Sequence, residues 1–282
     1  MVALWVPWHL GYLGLPSAFA PVAWHAHELL FGYVPAIIAG FLLTAVPNWT
    51  GRLPVVRWPL AGLLPLWLIG RIAIVFSAGL PPIGVALLSA AFPVALLTVL
   101  VREIAAGEDR RNAPPVLAVA VLLLAQGLFH YEAWHDVRPI FGARLAIAAT
   151  LTLIMIVGGR IVPSFTRNWL DQHNPGALAT PFNRFDRFVV PIGVVALAVW
   201  AVAPALPRFA PAIAALLALA GCLHLARQLR WQPHPLAEPL VTALHLGYAF
   251  VPMGFCSRPC LSGAAPVAPP QRSMRGRSAP SA

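Results

Sequence analysis

The sequence has few charged residues and no lysine. Charged side chains make up 10% of its 282 residues, against roughly 25% in soluble domains. Hydrophobic residues make up 59%, and the mean hydropathy is +0.77. This composition cannot supply the polar surface that a soluble protein of this length needs. We therefore expect a membrane protein in contact with the lipid bilayer.

Cysteine is also scarce, and most of the charged residues are positive. The three cysteines show neither a disulfide framework nor zinc-ligand spacing. The net charge of +10 comes from arginine, and most arginines lie in short gaps between apolar runs. That distribution is typical of membrane proteins and argues against nucleic acid as a partner.

Apolar runs near the roughly 20 residues that cross a bilayer recur along the chain. They cover 1–15 (short), 25–46, 59–78, 82–101, 115–134, 140–163, 188–206, 209–226 and 237–255. We predict an all-α, polytopic transmembrane helical bundle of about nine spans, occupying residues 1–256. Residues 257–282, rich in Pro, Ser, Ala and Gly, are predicted to form a disordered or off-pattern tail.

Arginine predicts the orientation of the bundle. Ten arginines lie in alternate gaps between spans, and the opposite gaps hold only Arg138 and Arg208. The arginine-rich side is therefore predicted to be cytoplasmic. Four further arginines in the tail would then lie outside. We interpret the tail as the product of a truncation or frame shift, with a native disordered tail as the alternative.

The most specific stretch, residues 24–52, reads WHAHELLFGYVPAIIAGFLLTAVPNWTGR. Small residues recur every four positions and predict close approach by another helix; they are Gly32, Ala36, Gly40 and Thr44. On an ideal helix His25 shares this stripe and faces the bundle interior, while His27 lies about 200° away. We expect the two imidazoles to have different partners, with His25 approaching residues 126–138.

That second segment carries a further set of polar residues at the same predicted membrane depth. The set comprises Gln126, His130, Tyr131, Glu132, His135 and Asp136. Imidazole is a common ligand of haem iron and copper. The sequence thus predicts a metal or haem site near the outer interface. Its candidate ligands are His25, His27, His130 and His135, with packing as the alternative for His27 and His135.

Other polar residues lie inside predicted spans. One face of 237–255 carries Glu238, Thr242, His245 and Tyr248, and an ionisable group such as His245 near mid-membrane suggests function. His9 and His224 are interpreted as packing histidines. Three intramembrane arginines are expected to pair with haem propionates, with Glu28 or Glu132, or with helix-end carbonyls, or to reach the interface; they are Arg71, Arg144 and Arg160.

Several of these segments together resemble the NnrS family of bacterial membrane proteins over residues 5–255. They are HAHELLFG and GFLLTAVPNWTGR in the first block, FH at 129–130, GGRIVPSFTRN at 158–168, CLHLARQLRW at 222–231 and LHLGYAFVPMGF at 244–255. The resemblance implies haem and copper as cofactors and a role in the response to nitric oxide, with nitric oxide or an iron-nitrosyl species as a partner. It also implies that the protein is located in the bacterial cytoplasmic membrane.

The family motifs carry over to particular cofactor-binding positions. These are His25, His27, Glu28, His130, Arg160 and His245. The family usually has about twelve spans, so we expect this chain to be truncated at both ends. The sequence specifies no turnover reaction. Two alternatives stay open: a transporter or channel with Glu238, His245 and Arg71 along a polar path, and a terminal-oxidase-like redox enzyme.

Overall fold

The computed structural model describes residues 2–51, 53, 57–107, 113–135, 137–173, 178–232 and 238–261. These residues are mainly helical and include no strand. The helices are α1 (Val2–His9), α2 (Pro21–Thr50), α3 (Trp58–Val75), α4 (Pro82–Ala105), α5 (Ala113–Trp134), α6 (Ile140–His173), α7 (Arg184–Ala205), α8 (Pro207–Leu229) and α9 (Pro239–Leu261). The predicted all-α class is confirmed.

Eight of the described helices, α2 to α9, are long and apolar enough to cross a membrane. The ninth predicted span, 1–15, is helical only over Val2–His9, and its eight residues would extend about 12 Å against a hydrocarbon core of about 30 Å. The chain is therefore a multi-pass membrane protein. Helix α9 continues past the predicted end of the domain at 256, and residues 262–282 of the predicted tail lie outside the described residues.

Two hydrophobic cores share helix α6. The first is formed mainly by α2 to α6, and the second by α6 to α9. At Gly142 of α6 an added Cβ would lie 2.5 Å from the backbone nitrogen of Phe129. Glycine therefore allows α5 and α6 to touch backbone to backbone, which brings the end of α5 against the first core.

Helix α2 is not a regular α-helix throughout. Residues Glu28–Tyr33 form a π-helical segment between two α-helical parts. Wider winding over this segment rotates the following residues by about 100° relative to an uninterrupted α-helix. The predicted alignment of His25 with the small-residue stripe is lost for this reason.

The stripe itself does not receive a neighbouring helix along its whole length. Gly40 and Thr44 are exposed, and no described atom lies within 4 Å of the position of a Cβ at Gly40. With Leu64 and Trp67 they line an open groove of about 1150 Å³. The prediction of close helix approach was wrong for this part of the stripe, since α2 directs Leu42 and Val46 into the core instead.

Candidate metal centre

Two histidines from different helices meet inside the first core. His27 of α2 and His130 of α5 lie with their Nε2 atoms 3.2 Å apart. The His27 side chain is fully buried and His130 is 9% exposed. Because a ring nitrogen of neutral imidazole either carries a proton or accepts one, the two Nε2 atoms either share a hydrogen bond or bind one common cation.

Four more side chains extend this contact on both sides. Glu28 Oε1 lies 3.4 Å from His27 Nδ1 and accepts a hydrogen bond from Arg71. Ser89 Oγ lies 2.9 Å from His130 Nε2 and accepts from Gln126 Nε2 at 3.1 Å. The result is a continuous buried network, termed below the His27–His130 cluster; its members are His27, Glu28, Arg71, Ser89, Gln126 and His130.

Aromatic rings enclose the two imidazoles. Phe19, Phe31 and Phe129 each have a ring centroid within 6 Å of His27. A cavity of about 470 Å³ reaches His130, with apolar walls for the most part and with Arg138 and Ser77 on its lining. A small uncharged molecule could therefore reach His130 without contacting the Glu28 carboxylate.

The structure reverses the predicted roles of His25 and His27. His25 does not face His130: its ring is half-buried and stacks on Trp5 of α1, with centroids 4.2 Å apart. The prediction that His25 approaches residues 126–138 while His27 points elsewhere was wrong, because the π-helical segment changes the helical phase after His27. The expectation of different partners for the two imidazoles is confirmed.

Other members of the predicted 126–138 set serve different purposes. Glu132 accepts hydrogen bonds from the backbone nitrogens of Phe141 and Gly142, at 3.0 and 2.7 Å, and thereby caps the first turn of α6. His135 is exposed, and its Nδ1 lies 2.8 Å from the carbonyl of Tyr131. Asp136 lies outside the described residues. The predicted metal ligand His135 is thus not in contact with the cluster.

A second buried polar network lies in the other core. Arg227 of α8 donates from Nε to Asp186 of α7 at 2.7 Å, and from Nη1 to the hydroxyl of Tyr248 at 2.9 Å. The Tyr248 hydroxyl lies 2.9 Å from His224 Nδ1. Gly159 of α6 leaves room for the guanidinium, since a Cβ there would lie 2.1 Å from Nη2. We call these four side chains the Arg227 cluster.

No sequence pattern predicts the Arg227 cluster as a unit. His224 was interpreted as a packing residue, and Arg227 was placed in a cytoplasmic gap. A signal was present in Asn183 and Asp186, whose spacing is that of a helix capping box and whose reciprocal bonds the structure contains. An acid at that position can face the neighbouring helix as well as cap its own.

The remaining predicted residues lie apart from the His27–His130 cluster. His245 is buried with Nε2 at 2.9 Å from Thr166 Oγ1, and Arg160 lies with its guanidinium carbon 5.7 Å from the Trp49 ring centroid. Arg144 donates to the carbonyl of Trp200 at 3.0 Å, as expected for a helix-end partner. Of the residues assigned to a transport path, Arg71 and His245 are in different cores, where each bonds its own partner.

The His27–His130 pair fits a small metal ion better than a porphyrin. Two nitrogens on a tetrahedral ion with bonds near 2.0–2.1 Å lie about 3.3 Å apart, close to the observed 3.2 Å. A haem between the same atoms would need space that Phe19, Phe31 and Phe129 occupy. Among the described residues, no group of three or more His, Cys, Asp or Glu side chains is arranged to hold a metal, so other donors would complete the site.

The family model described as NnrS protein matches residues 1–272, most of the chain and more than the motifs used above. No curated protein and no solved structure matches the chain.

Proposed function

Because the chain belongs to the NnrS family, we propose that it is a haem- and copper-binding protein of a bacterial cytoplasmic membrane that acts in the response to nitric oxide. The observation that supports the copper part is the approach of two buried Nε2 atoms, on His27 and His130, to 3.2 Å. The haem part and the link to nitric oxide follow from family membership alone.

In this proposal, His27 and His130 are the metal ligands, and Glu28 orients His27. Glu28 beside His27 Nδ1 accepts a hydrogen bond from the Nδ1–H of the neutral ring, which leaves the lone pair of Nε2 free for a metal. Arg71 balances the carboxylate charge in a site that is away from water. Ser89 Oγ, which accepts from Gln126, contacts the same Nε2 of His130, so a bound metal would take the place of this hydrogen bond.

A copper ion at this pair would supply Lewis-acid and one-electron chemistry. The protein supplies access and exclusion of water. The largely apolar cavity of about 470 Å³ leads to His130, and an uncharged diatomic molecule such as nitric oxide passes such walls at little desolvation cost. Among the residues that the structure describes, Arg138 is the one with a full charge on its lining.

Haem is proposed at a position other than the His27–His130 pair. The family-derived positions His25, His245 and Arg160 remain predictions for it. His245 Nδ1 and His25 Nδ1 are both buried without a hydrogen-bond partner among the described residues, as a ring nitrogen reserved for a ligand would be.

The test is the metal and haem content of purified protein. We expect His27→Ala and His130→Ala each to lose the same equivalent of copper, and the double variant to match either single variant, because the two residues share one ion. His135→Ala is the matched control, since this exposed histidine follows α5 without contacting the cluster, and it should retain copper.

Haem is measured separately, by the Soret band and a pyridine haemochrome assay. Copper retained in both His27→Ala and His130→Ala would refute the copper site. Protein free of both cofactors after expression with iron and copper supplied would refute the family-derived function and favour transport. Growth under nitric oxide, compared between wild type and His130→Ala, tests the physiological role.

A further inference from the structure

We propose that the cavity beside His130 is the binding site of an organic monocarboxylate with an apolar chain. The carboxylate pairs with Arg138 at the mouth of the cavity, and the chain lies inside. This ligand site goes beyond the proposed function and needs no metal. The cavity lies between the segment before α2, the start of α4 and the loop from α5 to α6.

The cavity is much larger than a diatomic gas requires. Its volume is about 470 Å³, and pockets for small organic ligands span about 300–1,000 Å³. A diatomic molecule is close in size to water, which occupies about 30 Å³ in the liquid, so it would fill only a small part of this space. The cavity therefore has room for an organic molecule.

The lining is divided into a buried part and an exposed part. Ser77, Val85 and His130 are buried, whereas Trp134 and Arg138 are exposed and therefore lie at the mouth. An apolar chain inside the cavity would be removed from water, while a charged group at the mouth would keep part of its hydration. This arrangement fits an amphipathic molecule in one orientation.

Ser77 does not supply a second polar anchor, although it lines the cavity. Its Oγ donates to the carbonyl of Ile74 at 2.9 Å and accepts from the backbone nitrogen of Ala18 at 2.9 Å. Both functions of the hydroxyl are thus in use within the protein. The strongest polar interaction that the described lining offers to a ligand is therefore the charge of Arg138.

The charge at the mouth selects an anion. Arg138 has no carboxylate partner among the described residues, so its guanidinium can donate the two parallel hydrogen bonds that a carboxylate accepts. One positive charge is balanced by one negative charge, which favours a monocarboxylate over a doubly charged phosphate. A bound carboxylate with its chain in the cavity would close the route of small molecules to His130.

The experiment measures the binding of radiolabelled octanoate to the full chain in nanodiscs of zwitterionic lipid, with empty nanodiscs as the background. Arg138→Gln should weaken binding about tenfold, because it removes a charge-assisted hydrogen bond. Arg208→Gln is the matched control: Arg208 is also exposed and lies in a gap on the same predicted side of the bundle, so this variant should bind octanoate as the parent does. Methyl octanoate, which has the same chain and no charge, should compete poorly in the parent.

The position of the chain is tested with further variants and with a photoreactive probe. Ala133→Leu narrows the cavity and should weaken binding, whereas Ala205→Leu, at the exposed end of α7, should not. Octanoate with a diazirine at its chain end should label the peptide that contains Val85. Octanoate binding should be equal in protein prepared with and without copper and haem, which separates this result from the fate of the proposed function.

Three results would overturn the proposal. The first is equal octanoate binding by Arg138→Gln and Arg208→Gln, and the second is labelling by the diazirine outside the cavity lining. The third is tighter competition by octyl phosphate than by unlabelled octanoate, which would assign the mouth of the cavity to a phosphate ligand.

Discussion

The Arg227 cluster allows a quantitative prediction about charge burial. Asp186 is 2% exposed and its Oδ1 accepts from Arg227 Nε at 2.7 Å. Its Oδ2 accepts from the backbone nitrogen of Asn183 at 3.0 Å and lies 3.8 Å from Arg230 Nη1. Asp186→Ala would remove all of these interactions at once.

The expected cost has two parts. The Arg227 guanidinium, 1% exposed, would remain buried without its counter-charge, at about 3–5 kcal/mol. Loss of the capping contact at the start of α7 adds about 1 kcal/mol. Arg227 keeps its bonds to the carbonyl of Met155 and to Tyr248, so the guanidinium stays in place and unpaired. We expect a decrease of about 4–6 kcal/mol in the free energy of unfolding.

The assay is reversible unfolding in mixed micelles with increasing denaturing detergent. Asp171→Ala serves as the control, because Asp171 is exposed near the end of α6, and its effect should stay within about 0.5 kcal/mol. Adding Arg227→Met to Asp186→Ala should restore part of the stability, since the unpaired charge is then gone.

Two results would refute this reasoning. One is a cost for Asp186→Ala close to that of Asp171→Ala, which would mean that the carboxylate is not needed to neutralise a buried charge. The other is a double variant whose loss equals the sum of the two single losses, which would show that Asp186 and Arg227 are not coupled.

Helix packing and topology can be tested in the same way. Gly142→Ala should lower the free energy of unfolding by about 1–3 kcal/mol, because the added Cβ would meet the Phe129 backbone. Gly127→Ala is the control and should not destabilise, because the space around Gly127 is open. Equal effects of the two substitutions would contradict the close contact between α5 and α6. The topology can be tested with single cysteines at Val137 and Leu53, which are both exposed, in a background free of other cysteines. Val137→Cys should react with a membrane-impermeant maleimide added to intact cells, and Leu53→Cys should not. The opposite labelling pattern would invert the topology predicted from arginine.

Much of the fold could be predicted from the sequence because the bilayer imposes a simple rule. Each span must be apolar over about 20 residues and must satisfy its backbone hydrogen bonds within itself. Runs such as 82–101 and 115–134 therefore predict helices without any knowledge of their neighbours. The exception, 1–15, is the run whose length was marginal.

The candidate site was predictable only to the level of segments. Residues 24–52 and 126–138 were expected to meet at one depth, and His27 does contact His130. The choice between His25 and His27 depended on helical phase, and a π-helical segment of six residues changed that phase. Nothing in the spacing of the sequence reveals such a segment, because it forms where packing favours it.

The sequence by itself determined that the chain is a multi-pass helical membrane protein with histidines in its spans. The reason is that the lipid environment constrains both the composition and the length of each apolar run. Only the tertiary structure decided which polar groups meet. Asp186, Arg227 and His224 are separated along the chain, and they pair because Gly159 and Gly193 leave space for them. Such partners depend on the positions of several helices at once, which no local pattern contains.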